Sequence, residues 1–300
     1  MAGKTTGLIM CASFVLLAGA AGGTVEISSK KLITWHTFDE GKGAWALDSA
    51  TEGRVSDRSE LKGKAKWAKD GVHKGAVYFP GKNGSYLYLS HLSKDIQAIR
   101  GEPHRRATFA FWFKCADKDK GKAVQTLFET GGYHNNINVF IYEGVLHVGI
   151  IGGYPKAHQP PQWMNTKQNL CKGVGWKMRN GKWHHFALVI EADTKPVPNG
   201  YRVYLDGKLT MTGLGVQVDG HGAQSALGAA NDEAIYPSAR HGWTQIPTNP
   251  RAPDADGNRY TEAEARGIHP FAGFMDDFRL YKRVLTAEEL KTLYENGTKQ

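Results

Sequence analysis

The sequence predicts an all-β fold: two antiparallel sheets packed face to face in one domain, with one short C-terminal helix. Three observations predict it. From Lys31 onwards, short apolar and aromatic runs alternate with clusters of Gly, Asn, Asp or Pro. The 36 Gly and 12 Pro supply many tight turns, and 8 Trp, 12 Tyr and 12 Phe are too much bulky apolar material for a disordered chain. No repeat of roughly 20 to 50 residues and no low-complexity linker interrupts the pattern, so residues 24–300 read as a single domain.

The N-terminal segment stands outside the fold. Lys4 precedes an apolar run from Leu8 to Leu17 that ends in Ala18, Gly19 and Ala20. This is the pattern of a secretory signal peptide over residues 1–20, cleaved after Ala20. The run is well short of the roughly 20 apolar residues a membrane span needs. Cys11 leaves with the signal, and Met10 before it is not the small residue of a lipid-attachment site.

Strands are expected at Leu32 to Phe38, Ala76 to Phe79, Tyr86 to Leu89, Thr108 to Lys114, Val124 to Thr130 and Asn138 to Tyr142. More follow at Val145 to Ile151, Trp183 to Glu191, Arg202 to Leu205, Lys208 to Thr212 and Gly273 to Tyr281. Glu143-Gly144 and Asp206-Gly207 stand between pairs of these runs as two-residue hairpin loops, which fixes the register there. The helix is expected at Thr286 to Asn296. Thr286 and Glu289 form a capping box, Leu290, Leu293 and Tyr294 share a face, and Gly297 is expected to stop it. Segments 152–182 and 219–270 carry little strand signal and read as long inserted loops, which in a compact domain are usually functional or disordered.

Phe111, Trp112 and Phe113 in a continuous apolar run imply a strand buried on both faces, and Trp183 and Phe186 likewise read as core. His184 and His185 are neighbours on a strand, so they point to opposite faces and do not share a metal. Cys115 and Cys171 remain after cleavage. In an exported chain such a pair reads as a disulfide, with two buried thiols as the alternative.

The ordered series WHTFDEGKG with Asp48 downstream, GAVYFPGKNGSYLYL, ATFAFWFK, GKWHHFALVI, YRVYLDGK and FAGFMDDFRLYKRVLTAEELKTLYENG resembles the laminin-G-like, concanavalin A-like jelly-roll domains of secreted bacterial proteins. The resemblance covers nearly all of the mature chain and implies a two-sheet antiparallel jelly-roll sandwich. Activity does not follow from it, because this scaffold hosts lectins, glycosidases, lyases and structural modules alike. It implies a structural calcium ion, with Asp277 as the first side-chain ligand and Asp39 near it where the first and last strands meet. The other reading of Asp39 and Asp277 is a pair of turn and strand-end residues held by backbone amides.

Three further motifs carry weaker signals. Asp254, Asp256 and Asn258 occupy the first ligand positions of an EF-hand-like loop, but Arg259 and Ala265 stand where Gly and Glu belong, so a solvated acidic turn is the better reading. No run of carboxylates at even spacing suits a retaining glycosidase. Arg58-Ser59-Glu60-Leu61 resembles a motif of one alginate lyase family, yet that family's companion motifs are missing and Gln217 begins a QVD where a histidine is needed. The match reads as chance in a charged loop.

Glycan binding needs only exposed rings and a few polar groups, and Trp163, Trp176, Tyr236 and Trp243 in the insertions are the candidates. Anchoring of their own loops is the alternative role for each. The net charge of +9 is scattered along the chain rather than clustered, which speaks against nucleic acid. The functional expectation is an exported, non-catalytic module that binds a polysaccharide or cell-surface glycan. A lyase on an acidic glycan and a structural subunit of an extracellular assembly are the alternatives. Asn83 and Asn296 begin sequons that matter only in a host that glycosylates asparagine.

Overall fold

In the computed structural model the described residues are 27, 29–50, 58–82, 84–89, 105–116, 124–132, 135–142, 145–151, 162–164, 176–193, 195, 197–215, 225–229 and 270–298. They form a jelly-roll sandwich of two antiparallel sheets with one helix. In chain order the strands are β1 (Leu32–His36), β2 (Trp45–Leu47), β3 (Arg58–Leu61), β4 (Lys66–Ala68), β5 (Ala76–Pro80), β6 (Leu87–Tyr88), β7 (Arg105–Cys115) and β8 (Val124–Gly132). Then come β9 (Asn135–Tyr142), β10 (Val145–Ile151), β11 (Gln162–Met164), β12 (His184–Ala192), β13 (Val197–Leu205), β14 (Lys208–Gly215), β15 (Ser225–Leu227), β16 (Ala272–Tyr281) and the helix α1 (Ala287–Thr298).

The first sheet runs β14-β13-β12-β7-β16-β5-β4, with β1 also paired to β16, and the second runs β11-β10-β9-β8-β15-β6-β3-β2. Alternation along the strands sends one set of side chains into the space between them. Phe109, Phe111 and Phe278 of the first sheet meet Phe128 of the second there, with ring centroids 5.2 to 6.4 Å apart. Ile137, Val139, Ile141, Leu146 and Val148 complete the apolar layer from the second sheet.

The Asp206-Gly207 hairpin has the two left-handed residues, φ 50° and 72°, that a type I′ turn needs. At the expected Glu143-Gly144 turn, Tyr142 lies opposite Val145. The capping box is formed: Thr286 N–H donates to Glu289 Oε2 at 2.9 Å, and Glu289 N–H donates to Thr286 Oγ1 at 3.2 Å. The helix then lies on the outer face of the first sheet, burying Leu290 and Leu293 against Ala110, Ala187 and Tyr281.

Four expectations need correction. Gly297 does not end the helix but lies within it. Trp183 is half-buried at the surface rather than in the core. Arg58-Ser59-Glu60-Leu61 is not a loop but strand β3, with Ser59 buried. The inserted segments are not without regular structure, since β11, β15 and a 3-10 turn at Trp176–Arg179 fall inside them. Strands of two to four residues are too short to show a period in the sequence.

Candidate functional site

The face of the second sheet that points away from the core carries one continuous cross-strand row. Trp163 lies opposite Gly149, Gly149 opposite Asn138, and Asn138 opposite Glu129. From there Glu129 lies opposite Ala226, Ala226 opposite Tyr88, Tyr88 opposite Glu60, and Glu60 opposite Trp45. Residues directly opposite each other in an antiparallel ladder share a face. The adjoining row, with Val148, Val139, Phe128, Leu227 and Leu87, belongs to the core, so this one is outside.

The row is closed in the middle and open at one end. Glu129 and Ala226 are buried, whereas Tyr88, Glu60 and Trp45 are half-buried and Arg58 beside them is exposed. The Arg58 guanidinium lies 4.0 Å from the centroid of the Trp45 ring, and Lys62 pairs with Glu60. Two rings on either side of a carboxylate can cover the C–H faces of sugars while the carboxylate accepts hydroxyl hydrogens. Glu60 and Glu129 stand three strand spacings apart along the row, about 14 Å. That is wider than the roughly 5 to 10 Å at which paired carboxylates hydrolyse glycosides.

A second polar cluster forms on the first sheet, where a β-bulge interrupts β16 between Asp276 and Arg279. Asp277 takes the left-handed conformation there, φ 51°, which an aspartate tolerates better than a bulky residue. Its Oδ1 accepts the Trp35 indole N–H at 2.6 Å and the Arg279 Nε–H at 2.9 Å, and its Oδ2 lies 3.6 Å from His73 Nε2. Burial works to raise the Asp277 pKa, but the Arg279 guanidinium and His73 hold it well below the usual carboxylate range. The Asp277 carboxylate beside it raises the His73 pKa in turn. Burial first, then the Asp277 charge, pushes neighbouring Asp276 up to about 7, against backbone N–H bonds from Val72, His73 and Asp277.

This donor set does not fit a divalent cation at Asp277. The carboxylate charge is already met by a guanidinium and an imidazole, and a cation would have to displace both. Asp39 accepts the Gly75 N–H at 2.9 Å and lies 3.9 Å from Lys74 Nζ, as a turn residue held by a backbone amide does. Among the described residues no group of three or more His, Cys, Asp or Glu could hold a metal ion.

The sequence-nominated residues are dispersed. Trp163 is at an edge strand in the outer row, and Trp176 opens the 3-10 turn before β12. Tyr236, Trp243, Cys171 and the acidic loop at Asp254, Asp256 and Asn258 lie outside the described residues. Cys115 is buried at the end of β7. His184 and His185 do part to opposite faces. His184 Nδ1 is 2.9 Å from Asp206 Oδ2, and His185 lies beside Trp112, with centroids 5.1 Å apart. Sequence reading missed Trp45, Tyr88 and Glu129 and set Glu60 aside with its motif, because what unites them is register across five strands. Part of it was accessible: a two-residue turn at Glu143-Gly144 already places Asn138 opposite Gly149.

No protein-family model and no curated protein matches the chain. Solved structures do share its fold. The receptor-binding domain of botulinum neurotoxin C/D mosaic serotype superposes with TM-score 0.56 at 10% identity, covering 90% of this chain and 52% of that one. Trypanosoma rangeli sialidase in complex with 2,3-difluorosialic acid gives 0.55 at 12%, covering 97% and 36%. Domain 4 of AbnA, a GH43 extracellular arabinanase from Geobacillus stearothermophilus, in complex with arabinotriose, gives 0.50 at 18%, covering 88% and 98%. The chain thus spans about half the neurotoxin domain and about a third of the sialidase. At these identities the likeness establishes the β-sandwich fold alone. Among the described residues no helix is long and apolar enough to cross a membrane.

Proposed function

We propose that the protein is an exported glycan-binding module of the laminin-G-like type, with its binding surface on the outer face of the second sheet. The observation that carries this reading is the open end of the cross-strand row, where half-buried Tyr88 and Trp45 flank Glu60 on adjacent strands. Two strand spacings separate the aromatic positions, about 10 Å, which suits an extended oligosaccharide lying across the strands. Trp163, opposite Gly149 on the edge strand β11, holds the far end of the same row. The apolar run near the N-terminus supports export, and the arabinotriose complex of AbnA domain 4 shows that a sandwich of this fold can take a neutral oligosaccharide. A disulfide between Cys115 and Cys171 belongs to this reading. It would tie the 152–182 insertion to the end of β7.

Affinity electrophoresis through gels containing arabinan and other neutral polysaccharides tests the reading, with products followed in the ultraviolet. Retardation by at least one neutral glycan, lost on Tyr88→Ala, supports it. Unsaturated products absorbing in the ultraviolet would replace binding with lyase chemistry.

A further inference from the structure

We propose that the outer face of the first sheet, beside α1, is a second binding site that takes an acidic polysaccharide on a row formed by Lys66, Tyr78, Phe274, Lys114 and Trp183. It goes beyond the site on the second sheet and does not depend on it.

The row follows from register. Lys66 lies opposite Tyr78, Tyr78 opposite Phe274, and Phe274 opposite Lys114. Trp183 directly precedes His184, whose partner Phe113 directly precedes Lys114, so the indole lands beside the Lys114 chain. The Tyr78 and Phe274 centroids are 5.0 Å apart, and those of Phe274 and Trp183 are 6.4 Å apart. Lys66 Nζ lies 5.5 Å from the Tyr78 centroid, and Lys114 Nζ lies 4.6 Å from Phe274 and 5.1 Å from Trp183.

Burial separates this half of the sheet from the other. Where α1 docks, Ala110, Ala187 and Tyr281 are covered by Leu290 and Leu293. Among the described residues no such cover lies over the row: its three rings are half-buried and Lys66 is exposed. Two positions along the strands on the same face, the residues are the small and buried Ala76 and Ala272. Single exposed apolar side chains are ordinary, but three contiguous rings on a solvent-facing strand surface mark an interaction site.

Charge selects the partner. Among the described residues neither Lys66 nor Lys114 is paired with a carboxylate; both ammonium groups are held over ring faces instead. A cation–π contact orders the side chain without neutralising it, so each amine remains ready for an anionic oxygen at little further ordering cost. Rings that cover sugar faces, set between amines that meet carboxylates or sulfates, describe a surface for an acidic glycan. Lys66 and Lys114 are three strand spacings apart, about 14 Å, so one monosaccharide cannot reach both and a polymer can. The net charge of +9 adds long-range attraction for such a chain.

The test is affinity electrophoresis in gels containing polygalacturonate, arabinan or single-stranded DNA, at low and high salt. Polygalacturonate is expected to retard the native protein, less so at high salt. The Lys66→Glu, Lys114→Gln double variant should bind it roughly tenfold or more weakly, as the loss of charged hydrogen bonds predicts. Lys66→Glu alone, at an exposed position, should give part of that loss with an unchanged melting temperature. Arabinan binding should be unaffected by these changes and lost in Tyr88→Ala, so each site fails separately. Absence of polygalacturonate retardation, retardation indifferent to both lysine variants, or equal variant-sensitive retardation by DNA would each overturn the assignment.

Discussion

His36 on β1 and Ser59 on β3 join the two sheets through a buried hydrogen bond of 2.9 Å between the imidazole Nε2 and the hydroxyl. The other ring nitrogen, Nδ1, lies 2.9 Å from the Leu47 carbonyl, which can only accept, so Nδ1 carries the proton and the Ser59 hydroxyl donates to Nε2. Ser59→Ala leaves that nitrogen buried without its donor. The expected cost is about 1 to 3 kcal/mol, read as a lower midpoint in urea with an unchanged slope.

Gly297 is set by contact rather than by chain reversal. A β-carbon there would lie 2.3 Å from Trp112 Cζ2 and 2.8 Å from Val72 Cγ1. Alanine normally favours a helix over glycine by about 1 kcal/mol. Here the clash with a fully buried indole wins, and Gly297→Ala is expected to lower stability by about 1 to 3 kcal/mol. A raised melting temperature would show that the helix end moves freely off the sheet.

His185 sets part of the acid limit. Burial lowers its pKa to about 4, and its Nδ1 has no hydrogen-bond partner among the described residues. The unfolded chain takes up this proton from about pH 6.5 downward while the folded chain waits until about 4. Stability from this group is therefore present above 6.5 and lost as pH falls through that window. His73, raised by Asp277, acts with the opposite sign: its contribution is present below 6.5 and lost as pH rises through its folded pKa. Melting of native protein and His185→Gln across pH 4 to 7 should show the native advantage shrinking toward the acid end. A constant gap would mean that His185 does not titrate in this window.

Asp277 is expected to matter without calcium. Its carboxylate and the Arg279 side chain are both largely buried, and breaking such a pair costs about 3 kcal/mol or more. Asp277→Asn should therefore melt well below the native protein in excess chelator and in millimolar calcium alike. A deficit seen only with calcium present would restore a metal role for this residue.

The fold was legible because its signals are local. The Asp206-Gly207 turn, the Thr286 capping box and the apolar run around Trp112 each depend on residues within a few positions of one another. The sites were not, because they depend on pairing between distant strands. Glu60, Tyr88 and Trp45 come from three short strands, and Phe274 reaches Tyr78 across almost two hundred positions of chain. The bulge at Asp277 was also hidden. An aspartate pair in a strand end reads the same whether its charge meets a metal or, as here, Arg279.

The most direct measurement is a glycan array probed with the native protein, Trp45→Ala, Tyr88→Ala and Trp163→Ala, each confirmed folded by its melting curve. The native protein is expected to bind one class of neutral oligosaccharide. Loss of either the Tyr88 or the Trp45 ring should weaken that binding by roughly tenfold or more, since each stacked ring contributes about 1 kcal/mol or more beyond its buried area. Removal of Trp163 should weaken longer ligands more than shorter ones. A native protein that binds no neutral glycan, or binding that survives intact in both the Tyr88 and Trp45 variants, would contradict the assignment of this face.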